Sequence, residues 1–366
     1  MRILHITDRM HSASGISQLL LTYSKYLHND GIYFDYLVEG YDDATYEQVK
    51  KLDGRYFIMP KLGMTNIKSF LSFYDAFFKN HRYNIVHSHY YQIDALVIPK
   101  ATRNGVLHYI SHSHNPHYSD YFLRSIRNCI LSFPIRFMAT EFCACSKQSG
   151  DFLYGKIVLN IRGKSVFVLP NVIDYSKYYY NELIREKMRE KLNITNEIVI
   201  GIVGSLRPQK NHEFLVKITK YIYDKYDKNI KLVIVGDGTQ RSKIEKLIRD
   251  YNITNNIIIT GATNNACDYY NAFDCYVLPS VYEGFGLSLL EAQVNSLRCV
   301  CSTEVPNDPI ISNFVEKVSL SEEVQYWAKV IYNSAVNGRA TTKFSDRFDV
   351  QIQSKGMTNF YINLLK

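Results

Sequence analysis

The chain has 366 residues, a formal net charge of +8 at pH 7 and 46% hydrophobic residues. That length has room for two ordinary domains, and the hydrophobic content supports buried cores. The positive charge favours anionic partners, but no basic helix is interleaved with aromatic residues, so we expect no nucleic acid. No apolar run approaches the roughly 18 residues that span a bilayer, and the sequence opens on a strand pattern rather than a signal peptide. We therefore predict a cytoplasmic protein.

Strands and helices alternate through the first half of the chain. Apolar runs predict strands at 2–7, 33–38, 85–89, 107–112 and 141–145, and amphipathic spacing predicts helices at 16–27, 67–79 and 93–102. A short loop with Ser14 and Gly15 separates the first strand from the first helix. A later strand, within 166–174, runs into a Pro-Asn turn that contains Asn171.

A second alternating series follows a charged helix predicted at 181–192. Its strands are expected at 198–203, 231–235, 257–260, 275–278 and 299–302, and its helices at 214–223, 242–251 and 287–295. Two successive βαβ series predict an α/β protein with two Rossmann-like, doubly wound parallel-sheet domains that face a central cleft. We place the boundary near residue 176, which gives domains at 1–176 and 177–346.

Seven cysteines are present, and two C-x-C pairs lie in apolar, strand-like segments: Cys143 with Cys145, and Cys299 with Cys301. Metal sites more often show C-x2-C spacing or a nearby histidine partner. A reducing compartment also needs no disulfides. We therefore predict buried free thiols.

The segment 277–292, VLPSVYEGFGLSLLEA, ends a predicted strand, passes through a loop with Gly284 and Gly286, and enters a helix. Such a turn directs backbone N–H groups and the positive end of the helix to one point, which suits a phosphate. Glu283 in the loop and Glu291 one turn into the helix can accept hydrogen bonds from hydroxyls on both sides of that phosphate. A nucleotide sugar fits this pattern. The alternative is an ordinary βα turn with two solvated carboxylates.

A second loop, at 204–210, follows a predicted strand and carries two cations, Arg207 and Lys210. They can neutralise a diphosphate, especially one left behind when a sugar departs. They can also be solvated surface charges. Two further loops, with Gly236 and with Gly261, follow strands and would let a ligand approach the backbone, although such glycines also occur in simple turns.

Three histidines, His112, His114 and His117, follow one another closely at the end of a predicted strand. Imidazole is a common metal ligand, but the sequence shows no cysteine or third fixed ligand beside the first two, and isolated histidines are usually structural. His87 and His89, at another strand end, are weaker candidates. The chain also lacks a D-x-D triplet, the carboxylate pair that suits Mg²⁺ or Mn²⁺. We expect neither a metal nor a cofactor.

The segment 121–140 carries Arg124, Arg127 and Arg136 and no acidic residue. One interpretation is a helix that lies in the headgroup layer of an anionic membrane. The alternative is a core helix whose arginines reach outward to water.

Together these segments resemble the retaining GT-B glycosyltransferases of glycosyltransferase family 4, in particular the bacterial enzymes of capsule and exopolysaccharide assembly. The resemblance covers nearly the whole chain in the expected order. It is carried by ISHSHN at 110–115, CACS at 143–146, LPNVID at 169–174, GSLRPQKNHEF at 204–214, LVIVGDG at 232–238 and EGFGLSLLE at 283–291.

The resemblance implies a donor site in the second domain. Glu291 would hold the ribose hydroxyls of the donor, Glu283 would hold the hydroxyls of the transferred sugar, and Lys210 would contact the phosphates. The family often has arginine where this chain has Ser205. Arg207, two positions later, would take the place of that missing cation.

Loops rich in glycine would complete the implied donor site. The residues expected to line it are Gly204, Gly236, Gly284, Phe285, Gly286 and Leu287, with backbone N–H groups of the last three on the pyrophosphate. Thr260, Gly261 and Ala262 would lie beside the nucleotide base.

The same resemblance implies that the first domain carries the acceptor. Ser14, Gly15 and Asn171 would lie on the acceptor side. His114, with His112 as second choice, would be the active-site histidine. We expect it to hydrogen-bond the sugar and shield an oxocarbenium-like centre rather than to act as a general base.

We therefore predict a metal-independent retaining glycosyltransferase that moves a sugar, preferably from a UDP-sugar, to a glycan or a polyprenyl-diphosphate-linked sugar. It would make peripheral contact with an anionic membrane at the inner face of the plasma membrane. A terminal helix, about 347–366, would return to the first domain. The alternatives are a sugar-nucleotide epimerase of the same fold and a non-catalytic nucleotide-sugar-binding protein. An NAD-linked oxidoreductase is disfavoured, because no G-x-G-x-x-G follows a strand with an acidic residue about 20 positions later.

Overall fold

The computed structural model describes residues 1–12, 14–63, 65–114, 118, 122–263, 265–340 and 345–366. The chain divides into two compact units. The first comprises Met1–Val172 with Arg347–Lys366, and the second comprises Ile173–Asp346. The boundary predicted near residue 176 lies close to this division.

The first unit is built on a parallel sheet. Its strands are β1 (Arg2–Ile6), β3 (Tyr33–Val38), β5 (Tyr56–Ile58), β6 (Ile85–Ser88), β7 (His108–Ser113), β8 (Glu141–Ala144) and β9 (Val166–Val168), and β2 (Arg9–Met10) and β4 (Gly40–Tyr41) form a separate pair. The seven strands of the sheet lie in the order β5-β3-β1-β6-β7-β8-β9. All neighbours are parallel, and the order reverses between β1 and β6, which is the doubly wound arrangement predicted.

Helices cover both faces of this sheet. They are α1 (Gly15–His28), α2 (Asp43–Lys51), α3 (Ile67–Asn80), α4 (Tyr91–Arg103), α5 (Phe122–Ser132), α6 (Ile135–Met138), α7 (Lys147–Tyr154) and α8 (Lys156–Ile161). One core cluster contains Leu4 and Ile6, and another contains Ile3, so alternate residues of β1 are buried on opposite faces. Burial on both faces explains why the strands are near-continuous apolar runs.

The second unit repeats the design. Its strands are β10 (Ile198–Val203), β11 (Ile230–Val235), β12 (Ile257–Ile259), β13 (Cys275–Leu278), β14 (Arg298–Ser302) and β15 (Val315–Val318), and its helices are α9 (Glu182–Lys191), α10 (His212–Lys225), α11 (Arg241–Asp250), α12 (Ala266–Ala272), α13 (Leu287–Val294) and α14 (Val324–Val336). The sheet is parallel in the order β12-β11-β10-β13-β14-β15. Short 3-10 turns occur at Tyr175–Lys177, Pro208–Lys210, Thr254–Asn256 and Asp346–Phe348.

The last helix, α15 (Val350–Leu364), belongs to the first unit, as the sequence predicts for the terminal helix. Phe360 stacks on Phe167 with ring centroids 4.3 Å apart. Tyr361 is fully buried, and its hydroxyl lies 2.6 Å from His87 Nδ1 on β6. The helix therefore contributes side chains to the core of a unit whose main part ends at Val172.

The predicted C-x-C cysteines are buried, and all seven cysteines are free thiols. In the part of the chain that the structure describes, no helix has the length and apolar character that crossing a membrane requires.

Candidate functional site

The second sheet reverses its strand order between β10 and β13. Ligands in such sheets bind beyond the carboxyl ends of the strands at this switch point. The loops that follow β10 and β13 are joined there by two hydrogen bonds: Gln209 Nε2 donates to the Tyr282 carbonyl at 3.0 Å, and the Val281 amide donates to the Gln209 carbonyl at 2.8 Å. The two motifs predicted to bind the donor therefore form one surface.

Lys210 and Glu283 meet on this surface. Lys210 Nζ lies 2.7 Å from Glu283 Oε1, and both side chains are largely buried. Ser280 Oγ donates to the same carboxylate oxygen at 2.6 Å, and Ser302 Oγ donates to the Ser280 carbonyl at 2.5 Å. These contacts fix the Glu283 carboxylate at the end of β13, next to the amine of Lys210.

Glu291 lies on α13, and two phenol hydroxyls hold its carboxylate. Tyr178 Oη donates to Oε1 at 3.1 Å and Tyr270 Oη donates to Oε2 at 2.5 Å. Burial raises the pKa of Glu291, while these two hydrogen bonds and the charge of Lys210 oppose that increase. The carboxylate is thus desolvated and oriented within the second unit.

Glycines allow the neighbouring loops to pack closely. This packing explains the glycines of the VGDG segment without any ligand. A Cβ atom on Gly236 would lie 2.0 Å from the Gly204 carbonyl oxygen, and one on Gly238 would lie 2.6 Å from the Leu206 carbonyl oxygen. The Leu206 amide donates to the Asp237 carbonyl at 3.0 Å. Any side chain at these positions would push apart the loop that carries Lys210.

The loop after β12 joins the same edge. Gly236 and Gly261 form an antiparallel bridge, and the Thr260 amide donates to the Ile234 carbonyl at 3.0 Å. Ala262 follows this bridge and is exposed. The structure therefore places the segment predicted to flank the base beside the β10 and β11 loops, while its contact with a base stays a prediction.

The turn before α13 has the form predicted for an anion site. Gly286 has φ +96°, a left-handed conformation that glycine adopts without strain, and it is the N-cap of α13. Gly284 precedes it in the loop, Phe285 is buried, and Leu287 begins the helix. Its binding of a pyrophosphate stays a prediction.

The two predicted cations differ in their surroundings. Lys210 is held by Glu283, whereas Arg207 is exposed at the start of the 3-10 turn, and Ser205 lies half-buried between them and β10. His212, two residues after Lys210, is buried. Its burial and the nearby amine of Lys210 lower its pKa to about 4.

The first unit gathers five histidines at the carboxyl ends of three adjacent strands. His5 lies on β1, His87 on β6 and His112 on β7, while His89 and His114 follow the ends of β6 and β7. Residues two apart on a strand point to the same face. Because β6 and β7 are neighbours, the pair His87 and His89 lies beside the pair His112 and His114. His117 lies outside the described residues.

The rings form two hydrogen-bonded rows. In one row, His89 Nε2 lies 3.0 Å from His5 Nδ1, and His89 Nδ1 lies 2.8 Å from His114 Nε2. In the other row, the Tyr361 hydroxyl lies 2.6 Å from His87 Nδ1, and His87 Nε2 lies 3.0 Å from His112 Nδ1. Burial lowers the pKa of His5 to about 3 and that of His114 to about 4, so the rings are neutral.

The prediction that no further ligand lies beside His112 and His114 is wrong, because the fold brings side chains there from other strands. Among the described residues, three sets place ligand atoms within 4.8 Å of one another: His5 with His87 and His89, His87 with His112 and Cys143, and His89 with His112 and His114. The paired nitrogens are 2.8–3.0 Å apart, whereas tetrahedral zinc separates its nitrogen ligands by about 3.3 Å. These distances are those of hydrogen bonds between rings, and the expectation of no metal stays a prediction.

The predicted acceptor-side residues occupy loops at strand ends of the first unit. Ser14 is the N-cap of α1 and accepts a hydrogen bond from the Ser17 amide, and Gly15 is the first residue of that helix. Asn171 follows β9 and is half-buried. Their contact with an acceptor stays a prediction.

The segment 121–140 fits the core alternative only in part: Ile135 and Ala139 are buried in the core, whereas one side of α5 is exposed. It forms α5 and α6, and the side of α5 that packs inward carries Asn128 and Ser132, which are buried. Four large apolar side chains of this segment face outward. Ile126, Ile130, Phe133 and Phe137 have exposed fractions of 45%, 67%, 51% and 54%.

Comparison with known proteins agrees with this geometry. Residues 13–177 match the family model described as Glycosyltransferase Family 4, and residues 184–331 match the one described as Glycosyl transferases group 1. Each of the two matches thus covers most of one compact unit.

Similar proteins differ in how much of their length matches this chain. EpsF of Bacillus subtilis (strain 168), a glycosyltransferase by name, is 29% identical over 349 residues, which cover 94% of this chain and 90% of EpsF. The UDP-Gal:alpha-D-GlcNAc-diphosphoundecaprenol alpha-1,3-galactosyltransferase of Escherichia coli is 31% identical over 152 residues, only 40% of this chain and 39% of that enzyme. The crystal structure of Anabaena HepE with UDP-glucose has a TM-score of 0.79 at 15% identity and covers 99% of this chain and 100% of HepE. That likeness confirms the predicted GT-B fold.

Several residues of the candidate site escaped the sequence interpretation. The sequence motifs do not include Tyr178, Tyr270 or Ser280, although these residues contact the two predicted glutamates. The sequence pattern likewise indicates His5 only as part of a strand. No local pattern marks such residues, because their role depends on partners that are distant in the sequence.

Proposed function

We propose that this protein is a retaining, metal-independent glycosyltransferase that uses a UDP-sugar as donor and a lipid-linked sugar or growing glycan as acceptor in surface polysaccharide synthesis. The observation that carries the proposal is the set formed by Lys210, Glu283 and Glu291 at the switch point of the second sheet. One amine pairs with the first carboxylate, and two phenols orient the second.

The chemistry of this set suits a sugar bound through a diphosphate. The turn at Gly286 and the start of α13 offer backbone N–H groups to the pyrophosphate. Lys210 would offset the negative charge that grows on the β-phosphate as the bond to the sugar breaks. Glu291 and Glu283 would accept hydrogen bonds from hydroxyls of the ribose and of the transferred sugar.

Transfer with retention needs no protein nucleophile in this arrangement. The bond between the anomeric carbon and the phosphate oxygen breaks, and the acceptor oxygen forms the new bond on the same face of the sugar. The departing phosphate oxygen takes the proton of the acceptor hydroxyl. The Escherichia coli relative, whose name specifies UDP-Gal and a diphosphoundecaprenol acceptor, supports these classes of donor and acceptor.

His114, with His112 as second choice, would contribute from the first unit. Because burial lowers the pKa of His114 to about 4, its ring is neutral at physiological pH. A neutral imidazole can hydrogen-bond a sugar oxygen without adding a positive charge beside an oxocarbenium-like centre.

The outward apolar side of α5 and α6 supports peripheral membrane contact. Four large apolar side chains are exposed there, and Arg136 stacks on Phe133 with its guanidinium 5.2 Å from the ring centroid. Apolar side chains flanked by arginines suit the headgroup layer of an anionic bilayer. Such contact would bring a lipid-linked acceptor to the protein.

Calorimetry tests the donor site directly. UDP-, GDP-, ADP- and TDP-sugars are titrated into the protein in the presence of EDTA, with Glu291→Gln as the site variant and Glu190→Gln, on the exposed side of α9, as the matched control. We expect one UDP-sugar to bind wild type and control, and to bind Glu291→Gln at least about tenfold more weakly. Equal binding by all three proteins, or binding only with added metal, would contradict the proposal.

Product analysis separates transfer from its alternatives. NMR of a reaction with the bound UDP-sugar and a lipid-linked acceptor should show a new glycosidic bond with the anomeric configuration of the donor. Isomerisation of the free UDP-sugar would identify an epimerase. Binding without turnover on any acceptor would identify a non-catalytic protein.

A further inference from the structure

The row His5–His89–His114 has a direction, and its inner end sets that direction. His5 is fully buried, and its Nε2 atom has no hydrogen-bond partner among the described residues. Buried donors without an acceptor are rarer in proteins than buried acceptors without a donor. The proton of His5 therefore resides on Nδ1, where it can be donated.

The remaining protons follow from that assignment. His5 Nδ1 donates to His89 Nε2 across 3.0 Å, so a neutral His89 carries its own proton on Nδ1. His89 Nδ1 then donates to His114 Nε2 across 2.8 Å. A neutral His114, whose Nε2 accepts, carries its proton on Nδ1.

We propose that His5 and His89 are positioning residues that hold His114 as the neutral tautomer with its proton on Nδ1. The inference rests on the role proposed above for His114 and adds which nitrogen performs it. Nδ1 is then a hydrogen-bond donor, which takes an oxygen of the substrate and cannot accept a proton from an acceptor hydroxyl.

Protonation of His114 is opposed by the same row. A second proton on His114 Nε2 would face the N–H of His89 Nδ1. Relief of that conflict requires the proton of His89 to move to Nε2 and the proton of His5 to move to its unpartnered Nε2 atom. The row therefore stabilises the neutral ring beyond the effect of burial.

Two substitutions at His89 separate its two contacts. The amide nitrogen of asparagine can take the position of imidazole Nδ1 as a donor, and the amide oxygen of glutamine can take the position of Nε2 as an acceptor. His89→Asn thus keeps a donor toward His114 and loses the contact with His5, whereas His89→Gln does the reverse. The matched control is His108→Gln, on the same strand as His112 but half-buried near Glu141.

The first readout is the tautomer itself, which ¹⁵N–¹H long-range correlation NMR reports without substrate. We expect the Nδ1–H form of His114 in the wild type, the control and His89→Asn, and loss of this single form in His89→Gln. An Nε2–H tautomer in the wild type, or the same spectrum for both His89 variants, overturns the inference.

The second readout is turnover with the UDP-sugar. We expect kcat of His89→Asn to exceed that of His89→Gln by about tenfold with a much smaller change in KM for the donor. If the tautomers are as expected and the two variants turn over equally, the tautomer assignment stands and the role proposed for His114 fails. If the His89 variants do not fold, His5→Asn and His5→Gln provide the same contrast one position further along the row.

Discussion

Tyr270 and Tyr178 hold both oxygens of the Glu291 carboxylate in place. Their hydroxyls donate across 2.5 Å and 3.1 Å. Because these donors come from within the second unit, the carboxylate is oriented before any ligand arrives. A preorganised carboxylate binds a diol more tightly than one that must first be ordered.

Removal of the Tyr270 hydroxyl should therefore weaken donor binding. Tyr270→Phe keeps the buried ring and deletes one hydrogen bond to the Glu291 carboxyl group, so we expect UDP binding to weaken about tenfold by calorimetry. Tyr269→Phe is the matched control, because Tyr269 is the preceding residue on α12 and packs against Lys191 instead. Unchanged affinity in Tyr270→Phe would mean that the carboxylate does not need this support.

At the residue scale, the sequence reveals groups whose motif is local. Glu283, Gly286 and Glu291 lie within one strand–turn–helix unit, and their spacing alone indicates an anion site flanked by acceptors. Tyr178 could not be found in this way, because it is 113 positions from Glu291. Its hydroxyl reaches the carboxylate only after the chain has folded.

At the scale of elements, the sequence predicts the central strands with nearly correct bounds. The strands predicted at 198–203 and 275–278 match β10 and β13, since buried parallel strands are uninterrupted apolar runs. The sequence pattern does not predict several elements, among them β5, β15, α2, α12 and α14. In β15 only the last residue is buried, and the strand has a charged pair in its middle, so an edge strand of this kind lacks the apolar signal.

The α5 element presents the clearest difference between sequence pattern and packing. Apolar residues usually indicate the inward side of a helix, but here Asn128 and Ser132 are buried and Ile126 and Ile130 are exposed. Periodicity alone cannot tell the two sides apart when both carry polar and apolar residues. An exposed apolar surface of this kind is typical of a site that contacts a membrane or another protein.

We expect this side of α5 to bind anionic vesicles. Ile126→Ser with Ile130→Ser should lower co-sedimentation with phosphatidylglycerol vesicles at least about tenfold, because the two side chains each contribute apolar burial of about 1.5–3 kcal/mol. Leu183→Ser, which removes another aliphatic side chain that is 69% exposed but lies on α9, is the matched control. Equal binding by all three proteins, or binding to neutral vesicles alone, would remove the membrane role from α5.

For the whole molecule, buried histidines link stability to pH. Burial lowers the pKa of His5 to about 3 and the pKa values of His114 and His212 to about 4. In the same cluster of the first unit as His5 and His114, burial together with repulsion from neighbouring rings lowers the pKa values of His87, His89 and His112. An unfolded chain takes up these protons near pH 6.5, where the folded chain does not. The free energy of unfolding is therefore lost as the pH falls from about 6.5 toward the folded pKa values.

His212 allows that linkage to be measured in isolation. Both of its ring nitrogens lack a hydrogen-bond partner among the described residues, so His212→Phe breaks no hydrogen bond. Trp327, the single tryptophan, is buried in the same unit and reports its unfolding by fluorescence. In urea titrations between pH 6 and pH 4.5, we expect the variant to lose about 1.1 kcal/mol less free energy of unfolding per pH unit than the wild type. Parallel pH dependences of the two proteins would show that His212 takes up no proton on unfolding, so that burial does not keep this ring neutral in the folded state.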